Sequence, residues 1–159
     1  APRQLADLVA EHALRDRLLA TRLLSEAGML DSADGSHLDD FGAAIREAAN
    51  ATTGDWEVHD VVTAGQQLVA EVEILGVHPA TPATLDLVER AITVWDDLAI
   101  HLKAPGQISE PLIDAHRDLC ERLDLDPDEV ERRLDDLARR CTNDTVDTTA
   151  HAHLLPDPA

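Results

Sequence analysis

The sequence predicts an all-α protein, a single-domain bundle of five to six helices with a central buried helix at about 82–103 and a C-terminal tail. Apolar residues recur at three- and four-residue spacing in long segments. Glycine, proline and Asn/Asp clusters separate these segments. Aromatic residues make up 2% of the 159 residues, so an aliphatic core of closely packed helices is expected. This length indicates one domain, with the bundle at 1–141 and an extended tail rich in Thr, His and Pro at 142–159.

The first half of the chain predicts three helices. The first covers about 3–27; Gly28 ends it, and Met29 and Leu30 fold back onto the core. Its buried side is expected to contain Leu5, Leu8, Val9, Ala13, Leu19, Leu23 and Leu24. A turn cluster at 31–36 precedes a second helix at about 37–49. The third covers about 56–75, where Gly65 on the apolar face would let another helix, such as the central one, approach closely.

The central helix is the most apolar long segment of the chain. Thr81 followed by Pro82 indicates a capped start, and 104–106 (Ala-Pro-Gly) ends the helix. Its apolar surface is wider than one neighbouring helix can cover, which places it inside the bundle. Its polar residues form one narrow stripe that we expect to be solvated: Asp86, Glu89, Arg90, Thr93, Asp96, Asp97 and His101.

Two further helices complete the predicted bundle. The fifth covers about 109–123, with Leu112, His116, Leu119 and Leu123 facing inward. Asp126 is the predicted cap of the sixth, Pro127 its first residue, and Glu129 completes a capping box. The inward residues of the sixth helix, which runs to about 140, are Val130, Leu134, Leu137 and Cys141.

Residues 142–159 lack helical periodicity and contain four threonines and two prolines, which predicts a tail. Leu154 and Leu155 are its candidate partner-binding residues, because they can anchor the tail to this protein or to another chain.

The net charge of −19 limits the classes of partner that the chain can bind. Nucleic acid and anionic membranes would repel such a chain, so we expect it to bind neither directly and to favour a basic protein partner. Adaptation to high salt is a second explanation of the acidity. Because no secretory signal or membrane-spanning stretch is recognisable, we expect a cytoplasmic protein or part of a particle assembled inside the cell.

The sequence predicts no catalytic residue, cofactor or metal site. The strongest metal candidates are carboxylates, four on the polar stripe of the central helix and one on the preceding helix: Asp86, Glu89, Asp96, Asp97 and Glu71. Paired carboxylates of this kind hold Mg²⁺ in all-α nucleotide pyrophosphohydrolases. His116 and Cys120 are spaced to share a metal ion, but no second Cys/His pair has matching spacing, so we expect a core histidine and inert thiols.

We therefore expect a non-enzymatic acidic helical protein that works in a homo- or hetero-oligomeric assembly. Two alternatives remain open. One is an acidic antagonist, of the immunity-protein or antitoxin type, that covers a basic partner through steered association. The other is the Mg²⁺-dependent pyrophosphohydrolase.

Overall fold

A computed structural model describes residues 16–31, 58–100, 102–143 and 145–158, with 58–60 as backbone alone. These residues form five α-helices and one 3-10 helix, and they contain no strand. The helices are α1 (Arg17–Glu26), α2 (Val58–Val77), α3 (Pro82–Ala99), α4 (Gly106–Arg122) and α5 (Pro127–Arg140), followed by the 3-10 helix (Thr148–Leu154). The predicted all-α bundle is confirmed. The predicted helix at 37–49 and the first half of the helix at 3–27 lie outside the described residues.

Helix α3 lies inside the bundle, as its wide apolar surface predicts, and contacts α2, α4 and α5. The Thr81 hydroxyl accepts a hydrogen bond from the Thr84 backbone N–H, and Pro82 is the first helical residue, so the predicted start is confirmed. The helix ends at Ala99, four residues earlier than predicted. The Leu102 N–H bonds to the Ala99 carbonyl three residues back, which tightens the chain into a turn.

Gly65 lies where α2 packs tightly against α3 and α4. A Cβ atom added there would lie 2.7 Å from Cζ3 of Trp95 and 3.0 Å from two side-chain carbons of Ile108. Carbon atoms in ordinary contact are about 3.5–4.0 Å apart, so any side chain at this position would collide with the core. The predicted close approach of the central helix at Gly65 is confirmed.

The end of α1 differs from the expectation. Gly28 has a φ of +68° and closes a Schellman motif in which the Met29 N–H bonds to the Leu24 carbonyl, as a helix-ending glycine should. However, Leu23 and Leu24 are 50% and 44% exposed, and Met29 is 69% exposed, so their predicted burial is wrong. Helix α1 contacts α2, with Arg17 paired to Glu71 and Thr21 buried one turn later. Leu23 lies on the other side of α1, and Leu24 follows Thr21 by almost one turn at the end of the helix.

The start of α5 follows the sequence signal in part. Asp126 accepts a hydrogen bond from the Asp128 N–H at 2.9 Å, and Pro127 is the first helical residue, as predicted. The prediction of a capping box is wrong, because the Glu129 carboxylate points along the helix and accepts hydrogen bonds from Arg132 and Arg133. The predicted inward residues Val130, Leu134, Leu137 and Cys141 are all buried.

The segment after α5 packs on the bundle. Where the sequence predicts an extended tail, residues 148–154 form a 3-10 helix capped by Asp147, and this helix contacts α4 and α5. His151 is fully buried, and Leu154 and Leu155 are half-buried against the core of their own chain. Among the described helices, none is both long and apolar enough to cross a membrane.

Candidate functional site

Two carboxylates and two imidazoles of the described residues lie inside the bundle, besides the thiols of Cys120 and Cys141. Glu89 and Asp96 of α3 are 5% and 1% exposed, while His116 of α4 and His151 of the 3-10 helix are fully buried. The expectation of a solvated stripe on α3 is therefore wrong for Glu89 and Asp96, although Asp86 and Asp97 are exposed as predicted. Buried charges destabilise a fold unless they are paired or hydrogen-bonded, so the partners of these groups decide what they do.

Glu89, His116 and His151 form a continuous hydrogen-bonded chain across three helices. Nε2 of His116 lies 3.0 Å from Oε1 of Glu89, and Nδ1 of His116 lies 2.9 Å from Nε2 of His151. The two imidazole rings are tilted by 59° with centroids 5.0 Å apart. We call these three residues, together with Cys120, the His–Cys cluster.

The local sequence explains how the His–Cys cluster assembles. His116 and Cys120 are one helical turn apart on the inner side of α4, and Sγ of Cys120 lies 3.7 Å from Nδ1 of His116. The 3-10 helix then brings His151 against both from a position 35 residues along the chain. Nδ1 of His116, Sγ of Cys120 and Nε2 of His151 can each offer a ligand atom, all within 4.8 Å of one another.

Two arginines of α5 balance the charge of Glu89. Arg133 donates to Oε1 of Glu89 at 3.2 Å and to Asp86 at 2.9 Å, and Arg140 donates to Oε2 of Glu89 at 3.4 Å. Burial alone would raise the pKa of Glu89, but hydrogen bonds and charges from His116 and Arg133 lower it below its ordinary value. Glu89 is therefore an ionised carboxylate that accepts, rather than donates, the hydrogen bond with His116.

The protonation states of the other cluster members follow from burial. Burial, with the neighbouring charge of Glu89, raises the pKa of Cys120 to about 11, so at neutral pH this side chain is a thiol and not a nucleophilic thiolate. Burial and the neighbouring His116 lower the pKa of His151 to about 4, which leaves its ring neutral. A neutral imidazole is the form that binds metal ions.

One atom of the cluster lacks a protein partner. Nδ1 of His151 is buried and makes no hydrogen bond to any described residue. In the tautomer where Nε2 of His116 donates to Glu89 and carries its only ring hydrogen, Nδ1 accepts from the Nε2–H of His151. The Nδ1 atom of His151 is then an unprotonated lone pair, which is less costly to bury than an unpaired N–H.

Asp96 forms a separate buried site that holds the start of the C-terminal segment. Its carboxylate accepts hydrogen bonds from the Thr142 N–H at 2.8 Å, the Asn143 N–H at 3.2 Å and the Thr145 hydroxyl at 2.6 Å. Burial raises the pKa of the neighbouring Cys141 to about 12, and the charge of Asp96 adds to the rise. Cys141 and Cys120 are both buried free thiols.

The structure does not bring the five predicted Mg²⁺ candidates together. Glu71 forms an ion pair with Arg17 of α1. Asp86 bonds to Arg133, and Glu89 and Asp96 occupy the two separate sites described above. Burial and the charge of Asp96 raise the pKa of Asp97, which faces solvent. All of these carboxylates except Asp97 are thus hydrogen-bonded or ion-paired to donors of the protein itself.

A groove of about 410 Å³ lies between α2 and α4. Its lining includes Val69, Val72, Gly76, Ala115, Leu119 and Arg122. No member of the His–Cys cluster lines this groove, so the groove gives no access to the buried imidazoles or the thiol.

Sequence reasoning missed how the cluster assembles across the fold. The one-turn spacing of His116 and Cys120 was visible, but the third ligand atom comes from His151, which the sequence assigns to a tail. Comparison of this chain with protein-family models, with curated proteins and with solved structures finds no match in any of the three.

Proposed function

We propose that this chain is a non-enzymatic acidic helical protein that works by binding another protein chain, as a homo- or hetero-oligomer. The observation that carries the proposal is an exposed apolar group at the end of α1, formed by Leu23, Leu24 and Met29. Three of the four large apolar side chains that are exposed in the described residues belong to this group, and the fourth is Ile100. Exposed apolar groups surrounded by polar surface are typical of protein–protein contacts.

The chemistry of the interior also supports a binding role. The carboxylate, imidazoles and thiol of the His–Cys cluster are the side chains best suited to acid–base or nucleophilic chemistry. They are 5% exposed or less, and Cys120 is a protonated thiol. Catalysis needs such groups within hydrogen-bond reach of a substrate. The side chains of the His–Cys cluster bond mainly to one another inside the bundle, out of reach of a substrate. This favours a function that depends on the surface of the protein.

The charge of the chain indicates the chemistry of the partner. With 32 acidic residues against 13 basic ones, the surface attracts a cationic protein over distance and repels nucleic acid. Complementary charge raises association rates, and this effect weakens as salt increases. An antagonist that covers a basic protein would use this electrostatic attraction in the same way.

Sedimentation velocity of the pure chain, at low and high salt, tests the proposal. Where the chain self-associates, the double variant L24S/M29S should remain monomeric while the matched variant Ile100→Ser associates like wild type. Where the chain is monomeric, immobilised wild type and Ile100→Ser should retain the same basic partner from native extract, and L24S/M29S should lose it. A double variant that matches wild type in both assays overturns the proposal.

A further inference from the structure

We propose that His116, Cys120 and His151 form a buried binding site for a single transition-metal ion of the zinc class, which links the C-terminal 3-10 helix to α4. The ligand atoms would be Nδ1 of His116, Sγ of Cys120 and Nε2 of His151. Binding would release the thiol proton of Cys120 to solvent and move the ring proton of His151 from Nε2 to Nδ1. Imidazole nitrogen and thiolate sulfur are the ligands that zinc prefers, and hard ions such as Mg²⁺ prefer oxygen.

The distances in the cluster approach those of a metal centre. A tetrahedral zinc ion with bonds of about 2.0 Å to nitrogen and about 2.3 Å to sulfur holds two nitrogens about 3.3 Å apart and a nitrogen and a sulfur about 3.5 Å apart. In this structure Nδ1 of His116 lies 2.9 Å from Nε2 of His151 and 3.7 Å from Sγ of Cys120. A movement of a few tenths of an ångström between the two rings would bring the two nitrogens to the zinc spacing, and Sγ of Cys120 lies within 4.8 Å of His151.

Glu89 supplies the second independent feature of a metal site. A histidine that binds a metal through one ring nitrogen usually donates the other N–H to a carboxylate, which fixes the ring and makes the ligand more basic. His116 has this arrangement, because Nε2 faces the Glu89 carboxylate at 3.0 Å while Nδ1 faces Cys120 and His151. Arg133 and Arg140 in turn hold Glu89 in place.

The position of the cluster indicates a structural role for the ion. Cys120 and His116 belong to α4, whereas His151 belongs to the 3-10 helix, so coordination would join two elements that are far apart in sequence. All three ligand residues are buried, and the 3-10 helix covers the other two ligands. Three protein ligands leave a fourth position for water.

Titration of the metal-free full-length chain with Co²⁺ under reducing conditions tests the site directly. We expect saturation at one equivalent, a sulfur-to-cobalt charge-transfer band, and the intense visible bands of tetrahedral Co²⁺. Zn²⁺ should remove these bands and raise the melting temperature of the protein. A hydrogen-bonded cluster without a metal role would give no charge-transfer band and no shift in melting temperature with Zn²⁺, and either result in wild type overturns the proposal.

The chain offers a matched control for two of the ligands. Cys120→Ser and His151→Gln should lose the charge-transfer band and one-equivalent binding. Cys141→Ser removes the other buried thiol and His153→Gln removes an exposed histidine of the same 3-10 helix, and both should bind like wild type. Loss of the band in Cys141→Ser with retention in Cys120→Ser would refute the assignment.

Glu89→Gln tests the orienting carboxylate separately. Loss of such a partner lowers metal affinity by about 10–100-fold, so the variant should bind Co²⁺ with the same spectrum and weaker affinity. Unchanged affinity would show that Glu89 does not orient His116 toward a metal. Because the wild-type titration needs no substitution, a variant that fails to fold does not remove the test, and none of these results bears on the sedimentation assay.

Discussion

Replacement of Gly65 by alanine tests how closely α2 and α3 are packed. The new Cβ would lie 2.7 Å from Cζ3 of Trp95 and 3.0 Å from two carbons of Ile108. The Trp95 ring cannot retreat easily, because it is fully buried and its indole N–H donates to the Ser109 hydroxyl at 2.9 Å. We therefore expect Gly65→Ala to destabilise the protein.

The magnitude follows from two opposing effects. Overpacking of a core costs about 1–3 kcal/mol, and the rigid Trp95 ring puts Gly65→Ala in the upper part of this range, at about 2–3 kcal/mol. Alanine in place of glycine inside a helix contributes about 0.5–1 kcal/mol in the other direction. The free energy of unfolding should therefore fall by about 1–2.5 kcal/mol.

Gly76 provides the matched control in the same helix. A Cβ added at Gly76 meets no atom within 4 Å, so Gly76→Ala should keep wild-type stability or exceed it by up to about 1 kcal/mol. Urea unfolding followed by circular dichroism measures all three proteins. If Gly65→Ala is as stable as Gly76→Ala, the inference that Trp95 leaves no room for a side chain at position 65 is refuted.

Three further predictions concern a cap, an ion pair and the C-terminal segment. Thr81→Ala removes the N-cap hydrogen bond of α3 and should lower the free energy of unfolding by about 1 kcal/mol in urea titrations, whereas no loss would contradict the cap. The Arg132 hydrogen bond lowers the pKa of Glu129 from 4.5 to about 2, so its stabilisation is complete above about pH 4.5 and is lost as the pH falls toward 2. The difference in melting temperature between wild type and Glu129→Gln should shrink over that range, and a constant difference would contradict the pairing. Deletion of residues 142–159 leaves Asp96 without three donors and should lower the free energy of unfolding by about 3 kcal/mol or more, whereas deletion of 156–159 should not.

Much of the fold could be predicted because local signals and tertiary packing agree. The Thr81-Pro82 start of α3, the Asp126-Pro127 start of α5 and the glycine at the end of α1 depend on neighbouring residues alone, and all three are found in the structure. Gly65 was predictable because a glycine on an otherwise apolar helix face has few uses besides close packing.

The candidate site could be predicted only in part, because burial of a charge depends on partners distant in sequence. Helical spacing places Glu89 and Asp96 on the polar stripe of α3, and the same spacing applies whether water or a protein donor faces them. The donors that bury Asp96 come from residues 142–145, and His151 comes from a 3-10 helix that has no 3.6-residue pattern. Because residues 142–159 lack helical periodicity, the sequence pattern predicts a tail there.

The two buried carboxylates of α3 explain why the C-terminal segment belongs to the core. Asp96 binds the backbone and hydroxyl of the chain just after α5, and Glu89 reaches the 3-10 helix through His116. Each carboxylate loses hydration on burial, and each recovers hydrogen bonds chiefly when distant parts of the chain are in place. Partial docking of the segment would leave charges or imidazoles unpaired inside the bundle. Docking is therefore expected to be cooperative with folding of α3, α4 and α5, and a metal ion at His116, Cys120 and His151 would strengthen that coupling.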